Sequence, residues 1–384
     1  MQVGQLAGGS SGVAGPLPAA VPLVSAGPGR PASLDHWLAG VRGRAADVLA
    51  AFVRDRCAEH VRDVPGAQFV TELIGEFVAG GKFVRPTFTY VGWLSGAGES
   101  AAALRAAAST ELLHAFALLQ DDVMDRSALR RGRPALHVRL ADWHRGHGLS
   151  GPADRFGESA AVLVGDLCLV WAEQMLRDCG LGAAALARGW PRYDTLRNEL
   201  AVGQFADLVN DTRTSPTLAG VLDVTRRKSG NYTVRRPLEL GAALAGCDER
   251  VLAVLGDYGE LVGEAFQLRD DILGVFGRPS VTGKPSGGDL RDRKATSVVV
   301  LARELATPAQ RAELSWLSGQ EALDDGHVDR WRGLIAETGA PARIEQMIVR
   351  RVSAACARLP GRGLDGFVLA ALRDLAIRYT DRAR

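Results

Sequence analysis

The chain has 384 residues, 47% hydrophobic and 23% charged, values that exclude a wholly disordered or collagen-like polymer and allow a sizeable core. Lys and Arg number 46 against 44 Asp and Glu, a formal net charge of +2, so a broad basic surface and general nucleic-acid binding are not expected. The five cysteines (Cys57, Cys168, Cys179, Cys247, Cys356) form no CxxC pair, which argues against a disulfide framework or a zinc site and fits a reducing cytoplasm.

In chain order, residues 1–29 carry no charge and hold 11 Gly or Pro. The stretch lacks a basic n-region, so a degenerate export signal is the weaker alternative to a flexible tail over 1–33. No run of about 18 apolar residues is evident here or later, so no membrane-spanning helix is expected. From residue 34 to 384 the pattern predicts one all-α domain of antiparallel helices. Ser33 is placed to N-cap a helix in which Leu34, Trp37, Leu38 and Val41 recur at helical spacing. Similar runs cover 67–80, 84–95, 99–125, 157–178, 194–211, 217–246, 249–276, 294–305, 308–317, 320–338, 341–358 and 363–381. Gly, Pro and Asp clusters separate them, and no good period-2 strand is evident. Residues 126–156 read partly as loop, and 277–293 as an irregular mobile loop, a candidate lid.

Two acidic motifs interrupt apolar helical runs. In LLHAFALLQDDVMD, Asp121 and Asp125 lie one turn apart on one face, with Asp122 about 100° round. Three carboxylates at a helix C-terminal end repel one another and oppose its dipole. A solvated helix end is the plain explanation; a site for a hard cation is the functional one. In EAFQLRDDILGVFG, Gln267, Asp270, Asp271 and Gly274 share one face amid Phe266, Leu268, Ile272 and Leu273. Adjacent carboxylates in apolar surroundings are costly without cations. An exposed polar stripe remains the plain alternative.

Basic clusters accompany the acids: Lys82 and Arg85 in GGKFVRP, Arg130 and Arg131 in RRGRP, Lys228 in RRKSGNY, and Lys284 and Lys294 in GKPSGGDLRDRK. Each alone reads as surface charge. GKPSGGD lacks the Walker spacing. Together, carboxylates for Mg²⁺ and flanking cations fit a substrate carrying diphosphate.

In order along about residues 35–381, GGKFVRP, H-x6-DDVMD-x4-RRGRP, Gly165–Asp166, GQFAD, KSGNY, QLRDDILG and GKPSGGDLRDRK resemble the landmarks of the trans-polyprenyl diphosphate synthases, the short-chain isoprenyl diphosphate synthases. The resemblance implies an isoprenoid-synthase-type helical bundle around a central cavity, usually a homodimer, acting on isopentenyl diphosphate and an allylic diphosphate with three Mg²⁺ per active site. It implies that Asp121, Asp122 and Asp125 hold Mg²⁺ from one wall and Asp270 from the other, with Asp271 in support. Arg130, Lys228, Gln267 and Lys284 would contact the allylic diphosphate, and Lys82, Arg85, His114 and Arg131 would hold isopentenyl diphosphate. The implied reaction is an electrophilic prenyl transfer in which cations stabilise the departing diphosphate, the isopentenyl double bond attacks, and the diphosphate takes the proton.

The resemblance also bears on product length. Phe116 stands five residues before Asp121, about 7.5 Å back along a helix at 1.5 Å per residue. Ala117 beside it is small, and Leu113 lies about a turn deeper. In the family this pattern implies a C20 product, geranylgeranyl diphosphate, with farnesyl diphosphate next. Three positions depart from the family pattern. Gly274 replaces the last Asp of a full second DDxxD, leaving Asp270 to carry that side. Phe83 stands where a cation is frequent, and Ser229 where Thr is common. A class I terpene cyclase is the first alternative, against which Lys82, Arg85, Arg131 and DDILG count. A non-catalytic subunit of a heteromeric synthase is the second; the intact first motif counts against it.

Overall fold

The computed structural model describes residues 33–211, 216–278 and 287–381. The expected tail lies almost wholly outside them, as do Lys284 and most of the expected lid. The described fold is helical: α1 (Leu34–His60), α2 (Ala67–Ala79), α3 (Val84–Leu94), α4 (Ala101–Met124), α5 (Leu136–Gly146), α6 (Ala153–Arg177), α7 (Ala183–Asp211), α8 (Leu218–Thr225), a π-helical stretch (Arg226–Arg235), α9 (Arg236–Ala245) and α10 (Glu249–Phe276). Beyond α10 come a single turn (Gly288–Arg291) and the helices Ser297–Leu305, Pro308–Ser318, Asp325–Glu337, Ala340–Arg358 and Gly366–Thr380. Among the described residues, strand pairing is limited to a minimal hairpin, Leu129–Arg130 against Arg133–Pro134.

Helix α4 shows how the sequence sets the centre. Ser100 caps it by accepting from the Ala103 amide at 3.2 Å, and its alanine-rich run favours helix strongly. It is apolar nearly all round, so it is buried on several sides, packed between α6, α3 and α1. Leu112 and Leu113 are fully buried, and such burial stabilises by about 1.5–3 kcal/mol per side chain. Contrary to the sequence expectation, α4 and α6 are each long and apolar enough to cross a membrane, with mean hydropathy 1.2 and 1.4. The most apolar windows are 67% and 44% buried inside the fold, where the two helices pack on each other.

Helix α10 divides two apolar cores. Its first half joins the main core through Leu255, Tyr258 and Val262. Its second half joins a smaller one through Leu268, Ile272 and Val275, with Trp331, Leu334 and Ile344 from the C-terminal helices. A glycine lets α10 lie directly on the π-helical stretch: a Cβ at Gly263 would stand 2.3 Å from the carbonyl oxygen of Gly230.

Three boundaries differ from the periodicity. Helix α7 begins at Ala183, not 194, and runs through Pro191; a proline without an N–H donor reads as a helix start because it breaks the usual bonding pattern. The run 217–246 is divided by the π-helical stretch, whose RRKSGNYTVR is too polar for hydropathy to show any period. The segment 126–156 contains α5, whose Leu136 and Leu140 are buried among charged residues too dense to show a periodic face.

Candidate active site

One cavity of about 460 Å³ opens where α4, α7, the π-helical stretch and α10 converge. It brings together Asp121, Asp270, Asp271, Arg130, Lys228, Gln267, Lys82, Arg85, His114 and Ala117 from segments spread over most of the chain. Of the other predicted residues, Asp122, Asp125, Arg131, Phe116 and Leu113 are not among its lining. Lys284 lies outside the described residues.

The first acidic motif closes α4. Asp122 is buried and accepts from the Arg130 guanidinium, the Nε lying 2.8 Å from one carboxylate oxygen and 3.1 Å from the other. Asp121 accepts from Lys228 Nζ at 3.1 Å, and that ammonium also reaches Asp207 at 2.5 Å. Asp125, the residue that ends the helix, accepts from Lys294 Nζ at 2.6 Å. Burial alone would raise the Asp121 carboxyl, but the charges of Lys228, Lys294 and Arg130 outweigh it and hold the group below its ordinary value. Burial likewise lowers the Lys228 ammonium, and Asp121 and Asp207 more than compensate, so it stays charged. The π-helical stretch positions Lys228 here, in keeping with the association of such segments with functional sites.

The second motif divides its labour. Asp271 accepts from the Ser297 amide at 2.9 Å and hydroxyl at 2.6 Å, and from Gln267 Nε2 at 3.0 Å. Burial raises its carboxyl despite those three donors. Its carboxylate thus braces α10 against the start of the helix Ser297–Leu305, while neighbouring Asp270 also lines the cavity.

The third group lies towards α3. Arg85 donates to Thr233 Oγ1 at 2.9 Å, and its guanidinium stands 4.2 Å over the Tyr232 ring. Burial pushes His114 well below its ordinary value, and Arg85, Arg131 and Arg130 push it further, so its imidazole is neutral. Arg131 donates to the Phe77 carbonyl at 3.0 Å. Phe83 enters α3 with φ of 51°, a left-handed backbone that costs a non-glycine residue about 1–3 kcal/mol and gathers at functional sites.

Sequence reasoning missed four contributors. Glu111 is buried, one helical turn before His114 on α4. A Cβ at Gly81 would stand 2.0 Å from its Oε1, so the second glycine of GGKFVRP lets that loop lie against the acid. Burial raises the Glu111 carboxyl, opposed by Arg85 and Arg131. The E-x-x-H spacing was the available signal. Asp207 of GQFAD partners Lys228. Lys294 was visible as a charge without a role. Asp289, inside the landmark GKPSGGDLRDRK but given no role there, lines the cavity beside Gly274.

Carboxylate oxygens on α4 and α10 can hold hard cations, and the interleaved Lys and Arg can hold phosphate oxygens. Among the described residues, no three His, Cys, Asp or Glu side chains gather tightly enough to hold a metal ion alone. Away from the charges the wall is apolar, formed by Ala117, Leu118, Leu200, Val221, Val224 and Phe266.

Comparison with known proteins agrees with this chemistry. The polyprenyl synthetase family pattern matches residues 67–334. A (2E,6E)-farnesyl diphosphate synthase of Mycobacterium tuberculosis is 34% identical over 309 residues, 79% of this chain and 80% of the relative. A geranylfarnesyl diphosphate synthase of Aeropyrum pernix is 33% identical over 267 residues, 68% and 77% of the two chains. The crystal structure of geranylgeranyl pyrophosphate synthase from Corynebacterium glutamicum, complexed with isoprenyl diphosphate and magnesium, superposes with a TM-score of 0.85 at 35% identity, covering 91% of this chain and 100% of that one. Gathered charges around an apolar cavity, a helical fold and these likenesses lead to one conclusion: the chain belongs to the polyprenyl synthetase family, and it is a prenyl-transferring diphosphate synthase.

Proposed function

We propose that the enzyme condenses isopentenyl diphosphate with an allylic diphosphate and releases mainly geranylgeranyl diphosphate, with farnesyl diphosphate next. One observation carries the reading: Asp121 and Asp270, 149 positions apart in sequence, line a single cavity together with Lys228, Arg130 and Gln267. That donor set fits Mg²⁺, which takes one or two carboxylates and completes its shell from water and substrate phosphates. Asp121, Asp122 and Asp125 would hold it from α4 and Asp270 from α10, three ions per site, with Asp271 bracing. Bound there, Mg²⁺ supplies Lewis-acid stabilisation of the diphosphate charge.

The chain's own groups do the rest. Arg130, Lys228, Gln267 and Lys284 hold the allylic diphosphate and stabilise negative charge as it departs. Lys82, Arg85, His114 and Arg131 hold isopentenyl diphosphate, keeping its double bond within reach of the allylic carbon. Neutral His114 donates or accepts a hydrogen bond without adding charge. The apolar wall keeps water from the electrophilic carbon. Departing diphosphate takes the proton, so no side-chain base is needed.

For the C20 product, the support is small Ala117 on the cavity wall with half-buried Phe116 beside it and Leu113 deeper on α4. The relatives span farnesyl and geranylfarnesyl synthases, and the superposed structure is a geranylgeranyl synthase. A cytoplasmic homodimer of a single, non-spanning all-α domain completes the reading. Its support is five free cysteines and the large apolar side chains Leu163, Val170, Val202 and Phe205, each 60–68% exposed on α6 and α7.

The test is purified protein with Mg²⁺, labelled isopentenyl diphosphate and each allylic primer in turn, with products sized after dephosphorylation and the assembly weighed by light scattering. A C20 alcohol from a dimer is expected. Hydrocarbon released from farnesyl diphosphate without isopentenyl diphosphate would instead identify a cyclase.

A further inference from the structure

The bonding of the π-helical stretch decides which of its side chains meet the cavity. Lys228, Ser229, Tyr232 and Thr233 all line it. In an α-helix, positions 228 and 233 would stand about 140° apart round the axis. Bonding from i to i+5 widens the turn and brings them to one face. That register joins two groups of the site: Lys228 Nζ donates to Asp121 at 3.1 Å, and Thr233 Oγ1 accepts from Arg85 at 2.9 Å. An α-helical register would turn one of the two away.

The stretch is held by residues that are not among the cavity lining. Glu199 of α7 accepts from Asn231 Nδ2 at 3.3 Å, from Arg236 Nε at 2.8 Å and from a second guanidinium nitrogen of Arg236. Arg236 also donates to Glu239 of α9 at 2.5 Å. Glu239 is 4% exposed and accepts from Arg235 Nε at 3.0 Å, and Arg235 reaches Glu260 of α10 at 2.5 Å. One chain of five charges thus ties the last residue of the π-helical stretch and the first of α9 to α7 and α10. Close backbone approach completes the clamp. A Cβ at Gly203 of α7 would stand 2.7 Å from Lys228 Cα, and one at Gly259 of α10 would stand 2.5 Å from Arg235 Cα. Partly buried ion pairs give little net stability over apolar packing of the same volume; what this chain fixes is geometry.

We propose that Glu199, Arg236, Glu239, Arg235 and Glu260 are positioning residues, whose ion-pair chain holds the π-helical register and through it aims Lys228 at the departing diphosphate. The assignment rests on the reading of the cavity as a diphosphate site and deepens it. All five residues lie outside the motifs that mark the site in the sequence. Their effect on turnover therefore passes through the backbone of the stretch, and it exists only while Lys228 is there to be aimed.

A double-mutant cycle on kcat for prenyl transfer tests this, at saturating Mg²⁺ and both substrates, with folding checked by thermal melting. Glu199 and Glu260 stand at the two ends of the chain, 28% and 35% exposed, so Glu199→Gln and Glu260→Gln remove a charge at nearly constant volume. Glu199→Gln should lower kcat by about tenfold or more, on a scale where a 1 Å misplacement costs about 10²-fold. In the Lys228→Ala background the same substitution should change the residual kcat by less than about twofold, because coupled sites are not additive. Glu199→Asp, which keeps the charge, should recover most of the loss. Where Glu199→Gln melts below the assay temperature, Glu260→Gln takes its place in the cycle under the same criterion. Equal losses in both backgrounds, or a folded Glu199→Gln with wild-type kcat, overturn the assignment while the cavity reading stands. Lys228→Ala that turns over like the wild type overturns both.

Discussion

The two acidic walls of the cavity are assembled in opposite ways. On α4 all three aspartates fall within five consecutive residues, and partners from distant segments come to them: Arg130 to Asp122, Lys228 to Asp121, Lys294 to Asp125. On α10 one aspartate of the pair braces a neighbouring helix, and a further carboxylate arrives from a separate turn. The first wall is one local string of residues; the second is a tertiary construction. A motif written along one helix can thus be matched by one whose parts lie apart in the chain.

The comparison can be broken most forcefully at Asp121. Asp121→Ala should lower kcat for prenyl transfer by about 10²–10³-fold, the scale for losing one group aimed at developing charge, measured at saturating Mg²⁺ and both substrates. Phe116→Ala probes the same helix one step deeper. Longer alcohols should appear after dephosphorylation with turnover retained; an unchanged product profile would show that Phe116 does not bound the chain. On α10, Asp271→Ala leaves the Ser297 amide and hydroxyl without their acceptor. A loss of about 1–3 kcal/mol is expected in urea denaturation; an unchanged unfolding free energy would show that the carboxylate does not brace the two helices.

The smallest effect concerns His114. Its folded pKa lies below the unfolded value of about 6.5. Below that pH the unfolded chain binds the proton first, so stability is present above about pH 6.5 and is lost as pH falls, by at most about 1.4 kcal/mol per pH unit from one group. Replacing it by His114→Gln should narrow the difference in urea-unfolding free energy between pH 5.5 and 7.5. An unchanged difference would show that the imidazole is not held neutral.

Much of this was readable along the chain because its signals are local. Asp121, Asp125 and Asp270 stand out as acids inside apolar helices, and Lys228 and Arg130 as cations near them. What escaped depends on approach between segments. Glu111 looks like one acid in a long apolar helix until Gly81 is seen to leave it room. Asp289 looks like a loop residue until Gly274 is seen beneath it. Gly274 reads in sequence only as the loss of an acid, because a glycine's missing side chain is visible there and the neighbour that fills the gap is not. The π-helical stretch escaped for another reason: its ten residues are mostly polar, so hydropathy offers no period there by which to tell it from an α-helix.

The ion pairs of the first acidic motif carry one last implication. A divalent cation arriving alone must compete with Lys228 and Lys294 for Asp121 and Asp125, and a polyphosphate arriving alone must compete with those carboxylates for the lysines. Arriving together, each supplies the counter-charge that the other displaces, so the exchange leaves little net charge uncompensated in a partly desolvated space. Occupancy by metal and by diphosphate should therefore be mutually reinforcing, with each ligand tightening the other by the same factor.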